Sequence, residues 1–274
     1  MLQQTFCHIT GIGAHTEVKL WQAGIHSWGD ISIPCPVKLS GASIASLATT
    51  LEDSLVALDN DPAYFTEKLP SAERWRVFSA FRENVAYIDI ETTGLSEDAE
   101  ITTIALYDGK NIYHYINGHN LDDFPKDLKK YKVIVSYNGT GFDLPVIKRY
   151  FGIELPHAHI DLRYVLASLG IKGGLKKCEK QLGIDRGDLD GVDGYFAVRL
   201  WREYKRNNDL GALQTLVAYN IEDTVNMEIL MVEAYNRKIA NTPFAQKFSL
   251  TRPILPESPF KPDMACIRRL LGRN

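Results

Sequence analysis

Cysteine is scarce in this chain: four residues among 274, Cys7, Cys35, Cys178 and Cys266, with no CxxC pair. That scatter excludes a structural zinc site and a redox dithiol, and leaves packed, reduced thiols as the expectation. Long apolar runs are missing too, none approaching the roughly 18 to 20 residues of a membrane helix. The start, MLQQTFCHITGIG, has neither the basic nor the apolar region of a signal peptide. A soluble, cytoplasmic protein without a membrane partner is expected. Strong net charge is absent as well, with 31 basic and 34 acidic side chains giving -3. With 45% hydrophobic and 24% charged residues the composition is globular, which rules out disorder and collagen-like repeats. No internal repeat is seen.

The distribution of charge says more than its sum. Residues 1–80 hold 5 basic and 8 acidic groups, 81–235 hold 18 and 24, and 236–274 hold 8 and 2, for local sums of -3, -6 and +6. A tail of that sign attracts polyanions, while the acidic middle asks what its carboxylates are for.

Three parts follow from the patterning. Residues 1–80 read as a small helical N-terminal domain: Ile44, Leu47, Leu51, Leu55 and Leu58 recur at helical spacing, as do Trp75, Phe78 and Phe81. Residues 81–235 open with three apolar runs, Val85 to Ile90, Ile101 to Tyr107 and Ile112 to Ile116, which predict a strand meander. A polar helix (Leu121 to Tyr131), a strand (Val133 to Ser136), a helix (Phe142 to Tyr150) and a strand near Ile160 come next, then helices up to Tyr235, the last capped by Asp209. Strands followed by alternating strands and helices make an α/β layer structure. Residues 236–274, with Pro243, Pro253, Pro256, Pro259 and Pro262, read as a basic, extended arm.

The most informative segment is Tyr87-Ile88-Asp89-Ile90-Glu91-Thr92-Thr93-Gly94. Residues two apart on a strand share a face, so Asp89 and Glu91 present paired carboxylates at the end of an apolar strand. Such anions repel unless a hard cation such as Mg²⁺ lies between them or water solvates both. A second acid, Asp143, follows the Gly-containing loop Tyr137-Asn138-Gly139-Thr140-Gly141 in a first helical turn, where capping is the plainer role. A third, Asp223, lies four residues after Tyr219, so phenol and carboxylate share one helix face.

Taken in order, DxETTG, YNGxxFDxP and Yx3D resemble the three exonuclease motifs of the DEDD superfamily in its tyrosine-type branch. From about Thr5 to about Tyr235 the chain also resembles the bacterial YprB-like group of ribonuclease H-like proteins, through TFCHITGIG, GGLKKCEKQLGI and AVRLW. The second motif is similar to that of the proofreading domains of family B DNA polymerases. The resemblance implies a ribonuclease H-like mixed five-stranded sheet flanked by helices, and metal-dependent 3'-5' exonuclease activity on single-stranded ends of DNA or RNA. It further implies two divalent cations, Mg²⁺ or Mn²⁺, with Asp89, Glu91 and Asp223 on the first and Asp89 with Asp143 on the second. Tyr219 would orient the attacking water, its ordinary pKa of about 10 making it a poor base. Thr92, Thr93, Gly94 and Leu95 would touch the terminal nucleotide, and Asn138 would pin the loop before Asp143. A silent nucleic-acid-binding adaptor and a structure-specific endonuclease are the alternatives on the same fold.

Other signals are weaker. Gly11-Ile12-Gly13 and the helix after it look like half of a helix-hairpin-helix module, but Glu17 puts an anion where phosphate would sit, favouring a packed lid. His157, His159 and Asp161 alternate as metal ligands might, yet a cap by Asp161 accounts for it more simply. Two basic clusters, Lys172, Lys176, Lys177, Lys180 and Arg186, then Arg268, Arg269 and Arg273, are either solvated faces or rims for a nucleic acid strand.

Overall fold

The computed structural model describes residues 1–189 and 192–272, so Arg273 of the basic tail and two residues of the acidic 185–193 loop lie outside the described residues. Among the described residues no helix is long and apolar enough to cross a membrane.

Five strands build one mixed sheet: β1 (Val85–Thr92), β2 (Ile101–Tyr107), β3 (Ile112–Ile116), β4 (Val133–Ser136) and β5 (Ala158–Asp161), in the order β3-β2-β1-β4-β5. The first three form the antiparallel meander read from the sequence, and β4 and β5 add in parallel on the other side of β1. β1 is thus central, and its alternation sorts side chains between two cores. Ala86, Ile88 and Ile90 pack with Phe124, Leu128, Val146 and Ile147 on one face. Val85 and Tyr87 join the second core, and Asp89 and Glu91 follow them by the same period.

Helices cover both faces. α1 (Ala14–Gln22), α2 (Gly41–Asn60), α3 (Pro62–Lys68) and α4 (Trp75–Phe81) precede the sheet, while α5 (Phe124–Leu128), α6 (Asp143–Phe151), α7 (Leu162–Ser168) and α8 (Leu175–Gln181) are interleaved with or follow its strands. α9 (Gly194–Asn207) leads into α10 (Leu210–Ile239), whose 30 residues span about 45 Å at 1.5 Å each. Asp209 caps it by accepting from the Ala212 N–H at 3.1 Å, and Arg237 and Lys238 face its negative end. Most of α10 is buried because the sheet, α9 and α4 all lean on it. Trp75 meets Tyr235 edge-on at 5.3 Å between ring centroids, so the N-terminal helices and the sheet share one core. Each such large apolar side chain contributes roughly 1.5–3 kcal/mol of burial.

The tail differs from the extended arm its prolines predict. It ends in α12 (Met264–Leu271), after the short α11 (Ala245–Phe248), with Asp263 capping it through the Ala265 and Cys266 N–H groups. Cys266 and Ile267 bury against Phe196, Trp201 and Leu216. An i, i+3, i+4 apolar spacing in Ile267, Leu270 and Leu271 carries that helix, and it is short enough to be masked by five prolines upstream.

Glu17 does not face solvent at the glycine hairpin. It accepts from the Phe6 and Cys7 N–H groups at 2.6 and 3.2 Å and pairs with Arg76 at 2.8 Å, stitching the first residues to α4. Residues before Gly11 form a 3-10 turn and loops rather than a first hairpin helix.

Candidate active site

Three carboxylates converge where β1 ends beside α10. Oxygens of Asp89, Glu91 and Asp223 all lie within 4.8 Å of one another. The strand period delivers the first two, and the β1–β2 register shifts directly after Glu91, between it and Thr92. Asn220, one turn before Thr224 on α10, donates its side-chain amide to Asp89 Oδ2 at 2.7 Å and to the Asp89 carbonyl at 3.1 Å, locking helix to strand.

Asp143 stands outside that trio but against it. It is the first residue of α6, and its Oδ1 accepts from the Ile90 N–H, between Asp89 and Glu91, at 3.3 Å. Burial pushes its pKa up to about 7, with hydrogen bonds from its own N–H and that of Ile90 opposing the rise. Burial, then the neighbouring acids, hold Asp89 and Glu91 well above the usual carboxylate range. Like charges held this close ionise together only if a cation joins them. The donor set, all carboxylate oxygen and in excess of nearby cations, is one that hard divalent ions take.

Tyr219 is buried one turn from Asp223, and burial followed by Asp223, Glu91 and Asp89 drives its phenol far above the ordinary value. These surroundings favour its neutral, hydrogen-bonding form. Lys176 lies 4.4 Å from its ring centroid, with its ammonium on the Val192 carbonyl.

Arg186 differs from the basic rim suggested by its cluster. It is buried, with Nη1 on Glu179 at 2.7 Å and Nη2 on Asp223, while Glu179 also accepts from Asn226 at 2.9 Å. Sequence reading misses the relay because its members are far apart along the chain; the one available signal is Asn226 and Asp223 sharing a face of α10 three residues apart.

Of the residues assigned to the terminal nucleotide, Thr92, Gly94 and Leu95 but not Thr93 line an adjoining cleft of about 470 Å³, with Phe142, Tyr195 and Val198 as its apolar wall and Glu91 and Arg202 as its charged lining. Leu95 and Tyr195 are exposed at its mouth. Thr92 Oγ1 donates to the Gly94 carbonyl at 2.6 Å and Thr93 Oγ1 accepts from the Glu100 N–H at 3.1 Å, so both hydroxyls shape the loop. Asn138 takes a left-handed φ of 65°; its N–H donates to Asp161 at 2.8 Å and its side-chain oxygen accepts from Arg163. Asp161 also caps α7 and receives the Thr140 N–H, while His159 bonds Ser136 at 2.8 Å and His157 the Leu128 carbonyl at 3.1 Å. The alternating trio therefore serves three separate contacts and holds no common ligand point.

Comparison with known families is direct on the core. A family model of the RNase_H superfamily matches residues 86–235, and the chain belongs to that superfamily. Its sheet and acidic cluster are those of a ribonuclease H-like nuclease domain, whose relatives use divalent metals. Among solved structures, the family B DNA polymerase from the hyperthermophilic archaeon Pyrobaculum calidifontis is similar at 17% identity and a TM-score of 0.41, over 61% of this chain. The match spans only 27% of the polymerase. No curated protein matches the chain.

Proposed function

We propose that this protein is a metal-dependent 3'-5' exonuclease of the tyrosine-type DEDD kind, acting on single-stranded ends of DNA or RNA. The meeting of Asp89, Glu91 and Asp223 within 4.8 Å is the observation that carries the reading. Those three would hold one divalent cation, and Asp89 with Asp143 a second, Mg²⁺ or Mn²⁺ in either place. Such ions, when bound, lower the pKa of a water and stabilise the leaving oxygen of an in-line displacement.

The chain's own groups do the rest. Asn220 fixes Asp89, and the Ile90 N–H fixes Asp143, so that little reorganisation is needed as charge develops. Tyr219, kept protonated, orients the attacking water and leaves its proton to a carboxylate. The cleft of Leu95, Phe142 and Val198 offers an apolar seat for the terminal base, with Gly94 letting the backbone approach it.

The test is incubation of end-labelled single-stranded DNA and RNA with purified protein, with and without Mn²⁺, beside Asp143→Ala. Stepwise loss of single nucleotides from the 3' end, reduced at least about 10³-fold in the variant, is the expected result, since each tenfold is about 1.4 kcal/mol of lost transition-state stabilisation. Internal fragments would assign endonuclease activity instead. Binding that survives Asp89→Ala, with no hydrolysis by wild type, would assign an adaptor.

A further inference from the structure

The acidic centre has unlike neighbours on its two sides. One is the apolar cleft above, which reaches the centre through Gly194. The other is a hollow of about 590 Å³ that shares Tyr137, Gly173 and Gly174 with the space over Asp89 and Asp223. Asn138, Arg163, Ala167 and Lys172 complete its wall. Among the described residues neither Arg163 nor Lys172 has a carboxylate partner within 4.0 Å, although the chain carries more acids than bases. Arg163 is not loose: its guanidinium grips the side-chain oxygen of Asn138, whose N–H Asp161 holds. Gly173 and Gly174 take φ of 116° and 88°, so the floor carries no side chains and a strand can approach the main chain closely. A Cβ on Gly173 would also strike Lys177.

We infer that this hollow is a subsite for a backbone phosphate, the one next upstream of the bond that is cut. The inference rests on the exonuclease reading for the location of that bond, and it adds a direction to it. A base enters the apolar cleft, the scissile phosphate lies over the carboxylates, and the following phosphate meets Arg163 and Lys172. A strand laid the opposite way would put a phosphate among Leu95, Phe142 and Val198, where Arg202 is offset by Glu91, and a base against Arg163 and Lys172 with no acid on the wall, which is unfavourable at both ends. One nucleotide step is the span from subsite to subsite, so the hollow reads charge and spacing and leaves base identity unread.

The experiment compares thymidine di- and trinucleotides as competitors of a labelled oligothymidylate, in the Asp143→Ala background so that the strands stay intact. The trinucleotide has one phosphate more. It is expected to compete on the order of tenfold better, as one charge-assisted hydrogen bond would give. In Lys172→Gln, and more fully in Arg163→Gln/Lys172→Gln, that advantage falls to about twofold, and the log–log salt slope for the longer strand falls by about 0.7 for each phosphate no longer neutralised. Lys172→Gln leaves the Arg163–Asn138 hydrogen bond untouched, so a disturbed loop does not confuse the result. Lys19→Gln on α1 removes an equal charge elsewhere and keeps the full advantage. An advantage retained in the double variant, or none in the wild-type hollow, overturns the inference. Wild type that binds in this pattern yet releases no nucleotide with Mn²⁺ overturns the exonuclease reading alone.

Discussion

Two clusters of charge lie along the same helix, one at its C-terminal end and one at its middle, and are balanced in opposite ways. Near the C-terminal end of α10, Glu17, Glu73, Arg76 and Lys238 form a closed set of two acids and two bases, linked at 2.8, 2.8 and 3.1 Å. Against the burial that would raise it, Arg76 and Lys238 hold the Glu73 carboxyl below its usual range. Near the helix middle, Asp89, Glu91, Asp143, Asp223 and Glu179 face two cations, Lys176 and Arg186, and four of the acids, Asp89, Glu91, Asp143 and Glu179, are pushed upward, by burial first. One cluster is neutral without help and can only be structure. The other is three negative charges in excess, a cost that folding tolerates for the sake of a ligand of opposite sign.

Breaking the balanced set should have the largest effect. Arg76→Met leaves Glu17 buried without its cation, Lys238 still holding Glu73, and is expected to lower unfolding free energy by about 3–5 kcal/mol in urea titration. Supplying the missing charge comes next: Mn²⁺ at a hundredfold excess over its Kd should add about 2.7 kcal/mol to wild type and little to Asp89→Asn, read as a shift in Tm. Third, Asp89→Asn without metal should be more stable than wild type by about 1–2 kcal/mol, because it removes one of the acids that outnumber the nearby cations; equal or lower stability would erase the contrast. The smallest effect concerns His8, which touches Ser54 at 2.9 Å and which burial, Lys68 and Arg76 hold down to about 4. Its folded pKa lies below the unfolded value, so its contribution is full above about pH 6.5 and fades as pH falls toward 4. Near pH 5.5 the loss is about 1.4 kcal/mol, one pKa unit's worth, and the stability difference between wild type and His8→Phe should fall by that much on acidification from pH 7.5.

Much of the fold is legible in the sequence because it rests on local period. All five strands and α10 with its Asp209 cap follow from alternation, helical spacing and turn residues, and Asp89 with Glu91 need only the strand period to be placed side by side. Tyr219 and Asp223 need only the helical one. Convergence of these pairs is a property of topology, since β1 lies at the centre of the sheet with α10 across its face, and motif order stands in for that geometry. What stays hidden is long-range and individually ordinary. Arg186 belongs by sequence to a solvated basic run, and only the path of the chain between α8 and α9 turns it inward onto Asp223. Glu17 reads by sequence as an anion in the way of phosphate, whereas Arg76, far along the chain, claims it. Asn138 reads as a loop pin, and Asp161 and Arg163 supply the two hydrogen bonds that do the pinning.

Sharing α10 between the two clusters has a practical corollary for anyone trimming the gene. Tyr235, Leu230 and Val133 lie in the same oily layer as Phe6, Phe65, Trp75 and Phe78, so cutting the coding sequence at the edges of the superfamily match would uncover the side of the molecule where α3 packs on β5 and α4 on α10. Such a fragment would present that side to water and to its own copies, and would be gathered into inclusion bodies before any strand of nucleic acid reached it.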